Sequence, residues 1–202
     1  MGLHRLLGAL VSGTMHQEQH PALARIAFLL GRWEGVGVAG YPEAEEFQFG
    51  QEIEFSHDGL PYLNYTSRVW RMNPDGSVGE FVTAESGYWR ARLDDVPTDS
   101  PQSTGTASSA DSTATDSTVH IEALITHPEG FIEAYLGTVF ANRIEMDTDV
   151  VMRTETGLQA TASHRLYGLI GEDRDNLGYA WDLAAAGHDL QSYMSAQLKR
   201  VA

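Results

Sequence analysis

The sequence contains no cysteine among its 202 residues. This absence excludes disulfides, thiolate zinc sites, iron–sulfur clusters and cysteine nucleophiles, and it leaves the redox compartment open. Basic residues are also scarce, with 13 Lys and Arg against 28 Asp and Glu, for a formal net charge of −15. Because so acidic a chain repels polyphosphates and anionic lipids, the composition predicts neither a nucleic-acid partner nor a membrane partner.

Long apolar runs are missing as well. No stretch approaches the roughly 18 apolar residues of a membrane span, and the run after Arg5 is too short for a secretory signal, so we expect a cytoplasmic protein. Phosphate-binding glycine loops, zinc-protease motifs and nucleophile elbows do not occur, and no metal site is predicted. Apolar residues nevertheless make up 42% of the chain, which suffices for the core of one domain.

Residues 97–118 differ from the rest of the chain in composition. They comprise six Ser, six Thr and three Asp, with nothing more apolar than Pro and Ala. Such a segment buries too little surface to offset the entropy cost of ordering it. We therefore predict a disordered insertion at residues 97–118, a flexible N-terminal extension at residues 1–19, and a single domain over residues 20–202.

Alternation with a period of two predicts strands through most of this domain. From Phe47 to Phe55, every second residue is large or apolar, and the alternation resumes at Leu63 and ends in a turn at residues 73–76. Further strands are expected at 78–94, 119–126, 131–141, 143–153, 159–171, 177–186 and 190–200. The only helix is predicted near residues 20–30, where Leu23, Ile26, Ala27 and Leu30 recur at helical spacing.

One short N-terminal helix followed by about ten strands joined by short turns predicts an all-β fold. A meander of that length closes on itself because closure removes the unpaired edges of the sheet. We therefore expect a ten-stranded antiparallel up-and-down β-barrel, with eight strands as the alternative count. Such a barrel is wide enough to hold a small ligand.

The first strand carries the spacing Gly-x-Trp-x-Gly-x-Gly, at Gly31, Trp33, Gly35 and Gly37. Trp33 can plug one end of a barrel with its large ring. The two later glycines leave room for a sharp bend or for another backbone passing close to the strand. The motif therefore marks the first strand of a small β-barrel that carries an apolar ligand.

With this motif the sequence resembles the nitrobindin family. The resemblance continues through residues 47–55, 61–65, 85–88, 127–130 and 184–200. It implies a calycin barrel, similar in shape to the fatty-acid-binding proteins, that holds ferric haem b at one end. The proximal iron ligand in this family is a histidine in the last hairpin.

The resemblance places Tyr193 at the position of that histidine. The family pattern is anchored on four matching residues, Gly187, Leu190, Ala196 and Leu198. A phenol has a pKa near 10 and must lose its proton to bind iron strongly, although tyrosinate is a known ligand of ferric haem. Among eight histidines, the nearest substitute ligand is His188. Strand alternation over five residues directs it to the opposite face, unless the intervening hairpin reverses that parity, so His188 is the second candidate ligand.

Three functions are compatible with these residues. We expect a nitrobindin-like binding barrel with weakened or lost ferric haem binding, holding a small apolar or planar ligand without catalysing a reaction. The alternative is a ferric haem protein with Tyr193 as axial ligand, which binds nitric oxide and isomerises peroxynitrite to nitrate. The third is a scaffold whose acidic surface or Ser/Thr-rich insertion carries the function. The physiological ligand and the oligomeric state stay open.

Overall fold

A computed structural model of the chain describes residues 18–92 and 119–201. The predictions for residues 1–17 and 97–118 lie outside this described part. The strands are β1 Gly31–Ala39, β2 Phe47–Ser56, β3 Leu63–Met72, β4 Val78–Ala91, β5 Val119–His127, β6 Phe131–Phe140, β7 Arg143–Arg153, β8 Ala160–Ile170, β9 Asn176–Ala185 and β10 Gln191–Arg200. Each strand pairs antiparallel with its neighbours in sequence, and β1 pairs with β10. The predicted ten-stranded antiparallel up-and-down β-barrel is confirmed.

The predicted helix is present only as two 3₁₀ turns, Pro21–Leu23 and Ala27–Leu29. The first turn is capped by His20, whose Nδ1 accepts the N–H of Ala22 at 3.1 Å. Ile26 between the turns has φ −112° and ψ 3°, which interrupts helical geometry. The buried residues Leu23, Ile26 and Leu29 recur every three residues, which is the repeat of a 3₁₀ helix.

The two 3₁₀ turns and Trp33 close one end of the barrel. Trp33 is fully buried, and its indole N–H donates to the carbonyl oxygen of Leu29 at 2.7 Å. The guanidinium of Arg200 lies 4.2 Å from the centre of the indole ring and donates to the carbonyl oxygens of Phe28 and Leu30. The N-terminal segment is thereby fixed to both the first and the last strand.

Gly35 and Gly37 lie where β1 closes the barrel against β10. A Cβ atom at Gly35 would lie 2.0 Å from the carbonyl oxygen of Gln197, and one at Gly37 would lie 2.3 Å from that of Ser195. Neither position has room for a side chain unless the backbone moves. The missing side chains therefore allow the close approach of the first and last strands.

We expect Gly35→Ala to destabilise the barrel by about 1–3 kcal/mol, because the methyl group overpacks this seam. Urea unfolding followed by tryptophan fluorescence measures the change. Val36→Ala is the matched control, since Val36 is 59% exposed on the outer face of the same strand and its truncation should change stability by less than about 0.5 kcal/mol. Equal effects of the two substitutions would contradict a steric role for Gly35.

Within residues 18–92 and 119–201, no helix has the length and apolar character needed to cross a membrane.

Candidate functional site

The barrel end opposite Trp33, which we call the mouth, holds both residues predicted to bind a cofactor. Five loops surround the mouth: residues 40–46, 73–77, 128–130, 154–159 and 186–190. Tyr193 lies near the start of β10, and His188 lies in the turn that precedes this strand. The site therefore combines the last hairpin with loops from distant parts of the chain.

A β-bulge places Tyr193 at the mouth. Ser192 pairs with Asp182 and Met194 pairs with Trp181, so Tyr193 is an extra residue in β10 with no partner in the register. A bulge turns the side chain of the extra residue away from simple alternation. The half-buried ring of Tyr193 consequently packs edge-to-face on Trp181, with 5.0 Å between ring centres.

Tyr41 from the loop between β1 and β2 lies across this ring. Its hydroxyl oxygen accepts the N–H of Ala185 at 2.8 Å and lies within hydrogen-bond distance of the carbonyl oxygens of Leu183 and Ala185. Its ring contacts Tyr193 and His188 edge-to-face, with 5.7 Å between centres in each case. Tyr41 therefore contacts both Tyr193 and His188, the two residues predicted to bind a cofactor.

The surroundings of Tyr193 favour the neutral phenol. Burial raises the pKa of Tyr193, and the negative charges of Glu129 and Glu85 raise it further, while Arg165 lowers it only in part. A tyrosine ligand to ferric iron requires the opposite shift, because only the phenolate binds strongly. The environment of the Tyr193 hydroxyl therefore opposes the ionisation that a tyrosine ligand of iron requires.

Acidic residues dominate the loops of the mouth. The loop between β1 and β2 alone carries three of them, Glu43, Glu45 and Glu46. A cleft of about 370 Å³ lies between this loop and β10 and is lined by Tyr41, Glu46 and Tyr193 among others. Negative charge at its rim disfavours anionic groups on a ligand.

A charged cluster that the sequence analysis missed lies inside the barrel, below Trp181. Arg165 on β8 is fully buried and donates two parallel hydrogen bonds, of 2.7 Å and 3.0 Å, to the carboxylate of Glu85 on β4. Its Nε donates to the hydroxyl of Tyr135 at 2.7 Å. The guanidinium also lies 3.9 Å from the centre of the Trp181 ring. Arg165 thus links the barrel core to the aromatic floor of the mouth.

His127 and Glu133 extend this cluster. The Nε2 atom of His127 lies 2.9 Å from a carboxylate oxygen of Glu133, and its Nδ1 lies 3.5 Å from Glu85. Glu133 also accepts hydrogen bonds from the hydroxyls of Ser163 and Tyr135. The imidazole of His127 stacks on Phe131 with 3.9 Å between ring centres. Tyr65 on β3 donates to Glu85 at 2.6 Å, so side chains from four strands satisfy the two buried carboxylates.

The cluster holds its carboxylates ionised. Burial alone raises the pKa of Glu85, but the charge and hydrogen bonds of Arg165, with His127 and Tyr65, outweigh burial and lower it to about 2. Burial also raises the pKa of Glu133, but the interactions of Glu133 with His127, Arg165 and Ser163 outweigh burial and lower the pKa. The interior below the mouth is thus a fixed ionic network.

The alternation of core-facing and solvent-facing residues along the strands contained a signal for this charged cluster. Glu85, Glu133 and Arg165 each occupy a core-facing position of their strand, and a charge at such a position requires a buried partner. Two histidines on these strands lie in different surroundings. His127 is the last residue of β5 and is only 7% exposed. His164 lies in the middle of β8 on the outer side of the strand, 3.4 Å from Glu145 and from Asp182.

No group of three or more His, Asp and Glu side chains in residues 18–92 and 119–201 is arranged to hold a metal ion.

Comparisons with known proteins agree on one family. A family model, the THAP4-like, heme-binding beta-barrel domain, matches residues 22–200. A ferric nitrobindin-like protein of Thermobifida fusca is 62% identical over 187 residues, which cover 93% of this chain and 98% of that protein. A peroxynitrite isomerase of Parafrankia sp. is 41% identical over 184 residues, which cover 90% of this chain and 80% of that protein. The crystal structure of Rv2717c from M. tuberculosis is similar with a TM-score of 0.68 and 28% identity, and the match covers 92% of this chain and 100% of that one.

Proposed function

This chain belongs to the family of THAP4-like, heme-binding β-barrel domains, to which the nitrobindins belong, and on that premise we propose that it is a binding barrel with weakened or lost ferric haem binding. The cause is Tyr193, which stands at the position of the family's axial histidine. The barrel takes a small apolar or planar ligand at its mouth and has no catalytic role in this proposal. Its cytoplasmic location stays a prediction from the sequence.

The environment of the Tyr193 hydroxyl carries this proposal. Burial is the main cause of the raised pKa of Tyr193, and the carboxylates of Glu129 and Glu85 raise this pKa further. Deprotonation would place a third negative charge close to Glu129 and Glu85. The phenol therefore stays protonated at neutral pH, and a protonated phenol is a poor ligand for ferric iron.

The charge of the mouth supports the same proposal. Haem b carries two propionate groups, which require cations or water at the edge of their pocket. Glu43, Glu45 and Glu46 lie at this rim, and Glu129 lies in another loop of the mouth, between β5 and β6. An acidic rim opposes the propionates and favours a neutral or cationic ligand.

The aromatic side chains of the mouth indicate a planar ligand. Tyr193 contacts both Trp181 and Tyr41 edge-to-face, and the half-buried rings of Tyr193 and Tyr41 line the cleft, where they offer an aromatic surface to a flat molecule. The indole Nε1 of Trp181 is buried without a hydrogen-bond partner in the described part of the chain. A ligand with one acceptor atom would satisfy this donor.

Haemin titration of three chains tests the proposal. We expect wild type and Tyr193→Phe to bind haemin weakly and alike, as measured by absorbance in the Soret region. Tyr193→His should bind at least about tenfold more tightly, equivalent to about 1.4 kcal/mol, because it supplies an imidazole ligand. The matched control is Tyr88→His on the outer surface, where Tyr88 is 55% exposed, and this substitution should leave haemin affinity unchanged.

Two results would contradict the proposal. A stoichiometric wild-type Soret spectrum that disappears in Tyr193→Phe would establish Tyr193 as the iron ligand. Failure of Tyr193→His to gain affinity, with its fold intact by circular dichroism, would show that Tyr193 is not what limits haem binding.

The first of these results would favour the alternative function, a tyrosine-ligated ferric haem protein that binds nitric oxide and isomerises peroxynitrite. The relatives named peroxynitrite isomerase support that alternative at the level of the family. Stopped-flow measurement of peroxynitrite decay with the haemin-loaded wild-type chain would then test it directly.

A further inference from the structure

Hydrogen bonds fix the walls of the cleft of about 370 Å³ between the β1–β2 loop and β10, which we call the mouth cleft. The N–H of Gly40 donates to the carbonyl oxygen of Tyr193 at 2.9 Å, so the loop is attached to β10 where it begins. The N–H of Ala44 donates to the carbonyl oxygen of Tyr41 at 3.0 Å and closes a turn. Pro42 has a fixed φ in this turn. The mouth cleft is therefore preorganised before any ligand binds.

Two tyrosines give the mouth cleft an aromatic wall. Tyr41 and Tyr193 both line it. The hydroxyl oxygen of Tyr41 accepts the N–H of Ala185 at 2.8 Å, and the ring of Tyr193 packs on Trp181, so both rings are held in place. The π-electrons of an aromatic ring attract a positive charge that lies close to its face. Organic cations are therefore the ligands that an aromatic wall of this kind favours.

One carboxylate lies in the mouth cleft without a cation. Glu46 lines the cleft, and its side chain passes over Gly40, since a Cβ atom on Gly40 would lie 3.6 Å from the Cγ of Glu46. In the part of the chain that the structure describes, no basic side chain lines the mouth cleft or forms an ion pair with Glu46. A neutral ligand would remove water from this carboxylate without replacing the lost interaction, whereas a cation would replace it.

The charges around the mouth cleft act in the same direction. Glu43 and Glu45 belong to the same loop as Glu46, and the chain as a whole has a net charge of −15. Arg71, at the mouth end of β3, lies over the ring of Phe47 with 3.9 Å to the ring centre, and it does not line the cleft. An acidic cleft raises the local concentration of cations and lowers that of anions.

We propose that the mouth cleft binds a small organic cation with a planar aromatic body, held by the carboxylate of Glu46 and by the rings of Tyr41 and Tyr193. The inference rests on the proposed function, a planar ligand at the mouth, and adds the charge and the size of that ligand. A volume of about 370 Å³ lies at the lower end of the range of small-molecule sites. A heteroaromatic cation of two fused rings is of matching size.

Two ligands of similar shape and different charge test the proposal in the full-length chain. The probes are 1-methylquinolinium, a permanent cation, and 4-methylquinoline, which is uncharged at pH 8. Titration followed by ¹H–¹⁵N NMR reports both the place of binding and the affinity. We expect the cation to shift the amide signals of Gly40, Glu46 and Tyr193. It should bind about fivefold more tightly than the neutral probe, which is the usual effect of one charge interaction at a partly exposed site.

The substitution Glu46→Gln identifies the carboxylate responsible. It should lower the affinity for 1-methylquinolinium about fivefold and leave that for 4-methylquinoline unchanged, because only the charged probe interacts with the lost charge. The matched control is Glu45→Gln, since Glu45 is exposed in the same loop but does not line the mouth cleft. Because solvent and salt screen a more distant charge, this control should change the cation affinity by less than about twofold.

Three results would overturn the proposal. Equal or tighter binding of 4-methylquinoline at the same amides would leave a site for planar ligands at the mouth and remove the preference for a cation. Equal losses of cation affinity in Glu46→Gln and Glu45→Gln would attribute the preference to the general acidity of the loop. The absence of amide shifts with either probe would remove the ligand site itself. Haemin titration of the Tyr193 variants tests the loss of haem binding separately, because it uses neither probe.

Discussion

Replacing Arg165 with methionine should destabilise the barrel by about 3–5 kcal/mol, which is the usual cost of removing one partner from a buried ion pair. Arg165 is fully buried and holds Glu85 through two hydrogen bonds, of 2.7 Å and 3.0 Å. Without it, Glu85 and Glu133 would remain in the interior without the guanidinium that stabilises their charge. Because a domain is stable by only about 5–15 kcal/mol, this is a large fraction of the total. Urea unfolding at neutral pH measures it.

Two controls separate the loss of charge from the loss of volume. Arg90→Met removes an arginine from an exposed ion pair with Glu122, and its cost should stay below about 1 kcal/mol. Combining Arg165→Met with Glu85→Gln should cost at least about 1 kcal/mol less than the sum of the two single changes, because the two residues interact. Additive costs in this cycle would refute a direct stabilising pair.

Acid should destabilise the protein strongly between about pH 5 and pH 2. The pKa of Glu85 is lowered from its ordinary 4.5 to about 2 in the folded protein. A group with a lowered folded pKa stabilises the fold above its unfolded pKa, and that contribution disappears as the pH falls through the folded value. For Glu85 this amounts to about 3 kcal/mol, and the lowered pKa of Glu133 acts in the same direction.

Urea unfolding at pH 7, 5, 4 and 3 measures this dependence. Glu85→Gln should be less stable than wild type at pH 7 and should lose less stability on acidification, because it has no carboxylate to protonate at this site. The control Glu122→Gln on the outer face should leave the pH dependence close to that of wild type. An unchanged acid dependence in Glu85→Gln would place the responsible carboxylates elsewhere.

Alternation in the sequence was sufficient to predict the barrel. The strand expected at 143–153 is present as Arg143–Arg153, and the other predicted strands from residue 119 onward differ by one residue at one end or at each end. The strand expected at 78–94 ends at Ala91. These predictions succeed because a barrel strand has one face in the core and one in solvent. The resulting alternation of apolar and polar residues is visible within each short stretch of sequence.

The predicted N-terminal helix shows where a local residue pattern is not sufficient to predict structure. Spacings of three and four residues predicted one helix, whereas two 3₁₀ turns cover Pro21–Leu23 and Ala27–Leu29. The segment must fit the closed end of the barrel over Trp33 and accept hydrogen bonds from Arg200. Contact with the last strand thus influences the geometry of a segment about 170 residues earlier in the chain.

By itself the sequence determined the fold, the family and the position of Tyr193 in the last hairpin, because these depend on residue order and short-range spacing. Only the tertiary structure decided how Tyr193 is oriented, since the bulge between Ser192 and Met194 arises from pairing with β9. It likewise decided that Arg165 meets Glu85 across 80 residues of sequence. Both features depend on which strands face each other inside a closed barrel, and closure is a property of the whole chain.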